Sequence, residues 1–115
     1  MDPLAVVRAL GDGVHHVQLK DTQFIPEELA TAGVLDNRPF SDPTRRAWIQ
    51  RTIGRSHDAA FWRSFVDALR DIGYRDYLSI ENEDPYQDYE EGVREAAAFL
   101  QPLVTTRSDR SAHAT

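Results

Sequence analysis

Two short stretches of the chain decide its fold class: residues 14–21, with the sequence VHHVQLKD, and residues 77–84, with the sequence YLSIENED. Alternate residues of a β-strand point to opposite faces of the sheet. Both stretches place apolar residues on one face, and both become polar toward their C-terminal ends. The apolar pairs are Val17 with Leu19 and Leu78 with Ile80. The pattern predicts two strands that pack against helices and whose C-terminal ends, where ligands bind in α/β proteins, form a site.

Helical signals occur before, between and after the two predicted strands. Asp2, followed by a proline, predicts the start of a short first helix. Asp58 predicts the start of an amphipathic helix over residues 59–72, and Asp88 with Glu91 resembles a capping box that opens a last helix. A strand–helix–strand unit within one sheet predicts parallel strands joined by a right-handed crossover.

The segment between residues 22 and 56 has weak periodicity and is interrupted by proline and glycine. We predict short helices around residues 27–31 and 43–50 and no third strand. A loop of this length in a compact domain is usually functional. Two parallel strands do not form a stable sheet by themselves. The sequence therefore predicts an α/β chain that is one part of a larger fold.

The composition predicts a soluble protein with an acidic surface. A hydrophobic fraction of 41% and a charged fraction of 28% are ordinary for a folded domain. The net charge of −6 argues against nucleic acid and anionic membranes as partners. The chain has no cysteine, and we find neither a secretory signal nor a membrane span in it. These features predict a cytoplasmic location.

We expect one domain over residues 1–104. Residues 105–115 are polar and lack periodicity, and the sequence predicts a disordered tail there.

Several separate motifs, in the same order along the chain, resemble the late part of the xylose isomerase-like sugar phosphate isomerase/epimerase superfamily. The resemblance covers residues 2–103 and implies a (β/α)₈ TIM barrel, a fold that typically needs about 250 residues. This chain would hold only its C-terminal quarter, the seventh and eighth strands with their helices. The motifs are DPLAVVRALG (2–11), HVQLKD (16–21), GVLD (33–36), RTIGRSHD (51–58) with the following FW (61–62), and SIENED (79–84).

The resemblance implies metal-assisted proton transfer on a sugar or polyol. Members of the family hold one divalent metal (Mn, Mg, Co or Zn) with a Glu, an Asp, a His and a second Glu from different strands. The second Glu matches Glu81, which would also be catalytic, whereas the His position is occupied by Gln18. An amide carbonyl is a neutral and weaker ligand than imidazole. His16 precedes Gln18 by two residues and could replace it only after some rearrangement.

The resemblance also implies substrate-binding roles for Lys20, Arg51 and His57, which match polar positions around the family's substrate pocket. A solvent-facing structural role is the alternative for each of them, and an exposed strand-end carboxylate is the alternative for Glu81. Glu83 and Asp84 are predicted to form a solvated acidic loop.

Two hypotheses for the function follow. The first is an isomerase/epimerase-family protein that is inactive as this short chain alone, with a sugar or polyol as substrate. The second is a non-catalytic barrel remnant or interaction module. Both predict unpaired strand edges, and therefore self-association or a partner chain that supplies the missing strands. An unrelated small α/β binding protein is a third reading.

Overall fold

Residues 1–105 form a mixed α/β structure with four α-helices and four short strands. The computed structural model describes residues 1–105. In chain order the elements are α1 (Pro3–Leu10), β1 (Val17–Leu19), β2 (Asp21–Phe24), α2 (Pro26–Ala32), β3 (Trp48–Arg51), α3 (Ala59–Asp71), β4 (Leu78–Ile80) and α4 (Tyr89–Thr105).

Strands β1 and β4 form the predicted parallel pair. Gln18 lies opposite Ser79 in the register, and the chain connects the two strands through α3. This confirms the α/β class and the predicted strand–helix–strand unit, although both strands are shorter than predicted. On β1 the alternation is visible directly, because Val17 and Leu19 are buried whereas Gln18 is exposed.

The segment predicted as a loop without a strand contains an antiparallel pair, so that prediction was wrong. Strand β2 pairs with β3, with Asp21 opposite Arg51 and Phe24 opposite Trp48. The predicted helix over residues 43–50 is only a single 3₁₀ turn, Pro43–Arg45, followed by β3. The predicted helix around residues 27–31 is confirmed as α2.

The core lies between the parallel pair and the helices. Asp58 caps α3, since its carboxylate accepts a hydrogen bond from the Phe61 backbone N–H at 3.0 Å. The predicted caps at Asp2 and Asp88 are also formed. The central core residues are Val17, Leu19, Ile53, Trp62, Ala68, Leu69, Ala96, Leu100 and Leu103.

Two clefts lie beside the parallel pair, and each is named after a strand of the pair that lines it. The β1-edge cleft has a volume of about 380 Å³ and lies against β1, β2 and the start of α3. The β4-edge cleft has a volume of about 900 Å³ and lies against β4, between α3 and α4. No other strand within residues 1–105 pairs with either outer edge.

The described part of α4 extends to Thr105, one residue beyond the predicted domain boundary at residue 104. The rest of the predicted tail, residues 106–115, lies outside the described residues. Within residues 1–105, none of the helices has the length and apolar character needed to cross a lipid bilayer.

Candidate functional site at the strand ends

An ion-paired cluster lies where β1 and β4 end. Lys20 directly follows β1, and Glu81 directly follows β4. The Lys20 ammonium Nζ lies 2.8 Å from Glu81 Oε1 and 3.2 Å from Glu83 Oε1. The backbone N–H of Glu81 donates to the Leu19 carbonyl at 2.9 Å, which extends the strand pairing to this end. The structure therefore brings the predicted Glu81 and Lys20 into direct contact.

The contact keeps both groups charged at neutral pH. The hydrogen bond from Lys20, together with its positive charge, lowers the pKa of Glu81. Burial alone would lower the pKa of Lys20, but its bonds to Glu81 and Glu83 outweigh that effect and raise the pKa. Glu81 is thus an ionised carboxylate, able to accept a proton, held beside an ammonium group.

The other two predicted metal ligands are placed less favourably. Gln18 faces the same side as Glu81, because it lies opposite Ser79 and alternate residues of a strand share a face. His16 is exposed and precedes β1, so strand geometry does not hold it beside Gln18. Among residues 1–105 there is no group of three or more His, Cys, Asp or Glu side chains that could hold a metal ion.

His57 is held by a carboxylate that the sequence analysis did not assign to the site. Asp21, the first residue of β2, is fully buried, and its Oδ1 lies 2.6 Å from His57 Nδ1. The backbone N–H groups of Gly54, Ser56 and His57 donate to Asp21 Oδ2 at 3.0, 3.2 and 3.1 Å. Asp21 therefore fixes the turn that carries His57. The sequence signal for it is an aspartate directly after the first predicted strand, at the end of the motif HVQLKD, whereas its burial is visible only in the structure.

The β1-edge cleft brings three of the predicted site residues together. Gln18, Lys20 and His57 all line it, beside the aromatic rings of Phe61 and Phe65. Such a surface offers hydrogen-bonding groups on one side and apolar area on the other, which suits a small polar molecule.

Arg51 lies elsewhere and has several protein partners. Its guanidinium Nε lies 3.2 Å from Asp84 Oδ2, and Nη1 lies 2.6 Å from Gln23 Oε1. The same group stacks at 5.4 Å from the centre of the Tyr86 ring. Arg51 lines neither cleft. It connects β3 to the loop after β4, and its predicted contact with substrate stays a prediction.

Asp84 was predicted to lie in a solvated loop, and this prediction was wrong. Its carboxylate is buried and accepts hydrogen bonds from the backbone N–H and the hydroxyl of Thr52 at 2.8 and 3.0 Å. A buried carboxylate is tolerated there because these hydrogen bonds replace the ones it would make with water. Glu83 is exposed, as predicted.

Comparison with known proteins shows similarity to part of a longer bacterial protein. No family model matches the chain. The chain is 31% identical over 104 residues to the uncharacterized protein YfiH of Bacillus subtilis (strain 168). The match covers 90% of this chain and 33% of YfiH, so the chain spans about a third of the length of that relative.

Proposed function

We propose that the chain is the C-terminal part of a xylose isomerase-like TIM barrel of the sugar phosphate isomerase/epimerase class, inactive by itself. The observation that carries the proposal is the arrangement at the C-terminal ends of β1 and β4. There an ionised Glu81 contacts Lys20, and Gln18 and His57 line the adjoining cleft. In barrel enzymes the strand C-terminal ends form the active site.

In this proposal Glu81 exchanges a proton with a carbon atom next to a carbonyl or hydroxyl group of the substrate. Its ionised state suits the accepting half of that exchange. Lys20 neutralises the carboxylate and keeps an N–H group for a substrate oxygen, since an ammonium has three. Gln18 and His57 offer further hydrogen bonds to hydroxyl groups.

The side chains of residues 1–105 do not by themselves fit a divalent metal. Glu81 is ion-paired with Lys20, Gln18 is a neutral ligand, and no cluster of three suitable ligands is present among these residues. The metal implied by the resemblance would need ligands from other strands of a complete barrel, and we derive no step of the reaction through it.

The proposal includes a partner, because β1 and β4 lack neighbours within residues 1–105. Either a second copy of the chain or a chain that carries the other strands would supply them. The cysteine-free composition agrees with the predicted cytoplasmic location.

A non-catalytic interaction module is the second candidate. The ion pair that already occupies Glu81 and the clefts at both strand edges favour it. In this case the two strands would retain their arrangement, but Glu81 would not transfer a proton.

A chimera with YfiH distinguishes the two candidates. The segment of YfiH that matches this chain is replaced by the chain itself. YfiH and the chimera are incubated in D₂O with Mn²⁺ and a panel of ketoses and ketose phosphates, and deuterium incorporation next to the carbonyl is followed by NMR. We expect exchange by both proteins and a loss of at least about 100-fold in the Glu81→Gln chimera.

Glu90→Gln is the matched control, because Glu90 is exposed and pairs only locally with Arg94 on α4. A folded chimera that does not catalyse exchange, while YfiH does, would exclude the catalytic role and favour the interaction module. If YfiH itself exchanges none of the sugars, the isomerase proposal loses its support.

A further inference from the structure

The carboxylate of Asp21 acts as a hydrogen-bond acceptor at both oxygens. Oδ2 accepts three backbone N–H groups from the turn of residues 54–57. Oδ1 accepts the backbone N–H of Thr22 at 3.0 Å and lies 2.6 Å from His57 Nδ1. An ionised carboxylate can only accept hydrogen bonds, so in its contact with His57 the imidazole Nδ1–H is the donor and Asp21 Oδ1 is the acceptor.

This arrangement decides the tautomer of His57. If Nδ1 carries the proton that is donated to Asp21, then Nε2 of the neutral ring has a lone pair and accepts a hydrogen bond. The ring is further fixed by Phe61, whose centroid lies 4.4 Å from that of His57. Within residues 1–105, no side chain or backbone group forms a hydrogen bond with Nε2.

The imidazole of His57 is accessible from the β1-edge cleft. Its side chain is 42% exposed, whereas the Asp21 carboxylate behind it is fully buried. The cleft therefore contains an acceptor at His57 Nε2 and donors at Lys20 Nζ and the Gln18 amide. A hydroxyl group both donates and accepts hydrogen bonds. The neighbouring hydroxyl groups of a polyol can therefore bind to these donors and to this acceptor at the same time.

We infer that Asp21 is a positioning residue that holds His57 with its proton on Nδ1, and that His57 Nε2 accepts a hydrogen bond from a hydroxyl group of a polyhydroxylated ligand in the β1-edge cleft. The ligand class rests on the proposed function, whereas the role of Asp21 rests on the geometry alone. The same arrangement of a buried carboxylate behind an imidazole orients catalytic and metal-binding histidines in other proteins.

Long-range proton–nitrogen NMR spectra of the ¹⁵N-labelled chain test the role of Asp21. At about pH 8.5 an ordinary imidazole is neutral, and each tautomer gives a distinct pair of nitrogen shifts. We expect His57 to show the Nδ1–H pattern and the exposed His15 to show the ordinary mixture of tautomers. A dominant Nε2–H pattern at His57 in the wild-type chain would overturn the inference without any variant.

Substitution of Asp21 tests whether it sets the tautomer of His57 or only stabilises the fold. Asp21→Asn should abolish the single Nδ1–H tautomer, because the amide can also donate to Nδ1. Asp58→Asn is the matched control: it removes a carboxylate next to His57 in sequence and keeps the helix cap, so the His57 pattern should not change. A folded Asp21→Asn chain with an unchanged pattern would contradict the role of Asp21.

Xylitol is the probe for the ligand class. We expect its addition to move the Nε2 resonance of His57 saturably and to leave that of His15 unchanged, with the response lost in Asp21→Asn. A response equal at both histidines, or none, would overturn the hydroxyl site. These spectra require neither a metal nor turnover. The hydroxyl site can therefore be excluded while the chimera still catalyses exchange, and it can be confirmed while the chimera is inactive.

Discussion

At the scale of single residues, Asp84 shows how the chain tolerates a buried charge. Burial would raise the pKa of its carboxyl group, but hydrogen bonds from the Thr52 and Tyr86 backbone and from Arg51 outweigh it and lower the pKa. A lowered pKa in the folded state means a contribution to stability that is complete above the ordinary pKa of about 3.9 and disappears as pH falls through the folded value.

Asp84→Asn should therefore destabilise the fold, because the half-buried Arg51 and the buried Thr52 lose the ionised acceptor of their hydrogen bonds. We expect a loss of about 1–3 kcal/mol in the free energy of unfolding at neutral pH, measured by urea denaturation. The difference from the wild type should shrink as the pH falls below about 4. Glu83→Gln, in the same loop but exposed, should change stability by less than about 0.5 kcal/mol. An equal loss in both variants would contradict the role assigned to Asp84.

Gln18 offers a direct test of the metal expectation. In the chimera with YfiH, Gln18→His should tighten Mn²⁺ binding by about tenfold or more, because imidazole is a stronger ligand than a neutral amide. Isothermal titration calorimetry measures the change. The variant His16→Gln should leave the affinity unchanged, since His16 lies before β1. Unchanged affinity in Gln18→His would count against Gln18 as a ligand position.

At the scale of elements, the turn between β3 and α3 depends on a glycine. Gly54 has a φ of +96°, and a Cβ atom placed there would lie 2.8 Å from the Phe99 ring. Gly73, after α3, has a φ of +84° with open space around it. Alanine at either position strains the backbone, but only at Gly54 would it also displace a packed ring of α4.

We expect Gly54→Ala to lower the free energy of unfolding by about 1–3 kcal/mol more than Gly73→Ala does, the difference being the cost of overpacking. Chemical denaturation of the two variants side by side gives this difference. Equal losses would show that Phe99 moves aside at little cost. Because the same turn donates to Asp21, the Gly54 variant should also disturb the His57 tautomer.

The parallel pair and its helices could be predicted from the sequence, whereas the hairpin could not. Strand β1 alternates buried and exposed residues and α3 follows a capping aspartate, so local patterns sufficed. Strand β2 begins with the buried Asp21 and ends with the exposed Phe24, which reverses the usual pattern. Its partner β3 is distant in the chain, so the pairing depends on tertiary contacts. Asp21 was missed as a site residue for the same reason.

At the scale of the whole molecule, two strand edges and one buried hydrogen-bond donor have no partner within residues 1–105. The outer edges of β1 and β4 have no strand partner within residues 1–105. The buried indole N–H of Trp62, which lines the β1-edge cleft, has no hydrogen-bond acceptor among these residues. A buried donor without a partner costs about 1–3 kcal/mol.

We therefore predict that the isolated chain self-associates at tens of micromolar, even though its net charge of −6 opposes association. Sedimentation velocity at moderate ionic strength measures the association. Tyr77→Lys should weaken it, because Tyr77 is exposed at the β4-edge cleft and a lysine there disfavours edge pairing. Tyr89→Lys is the matched control, since Tyr89 is also an exposed tyrosine but lines neither cleft. A monomer with a sharp cooperative thermal transition would show that the chain is stable alone, and would remove the basis for a partner that supplies further strands.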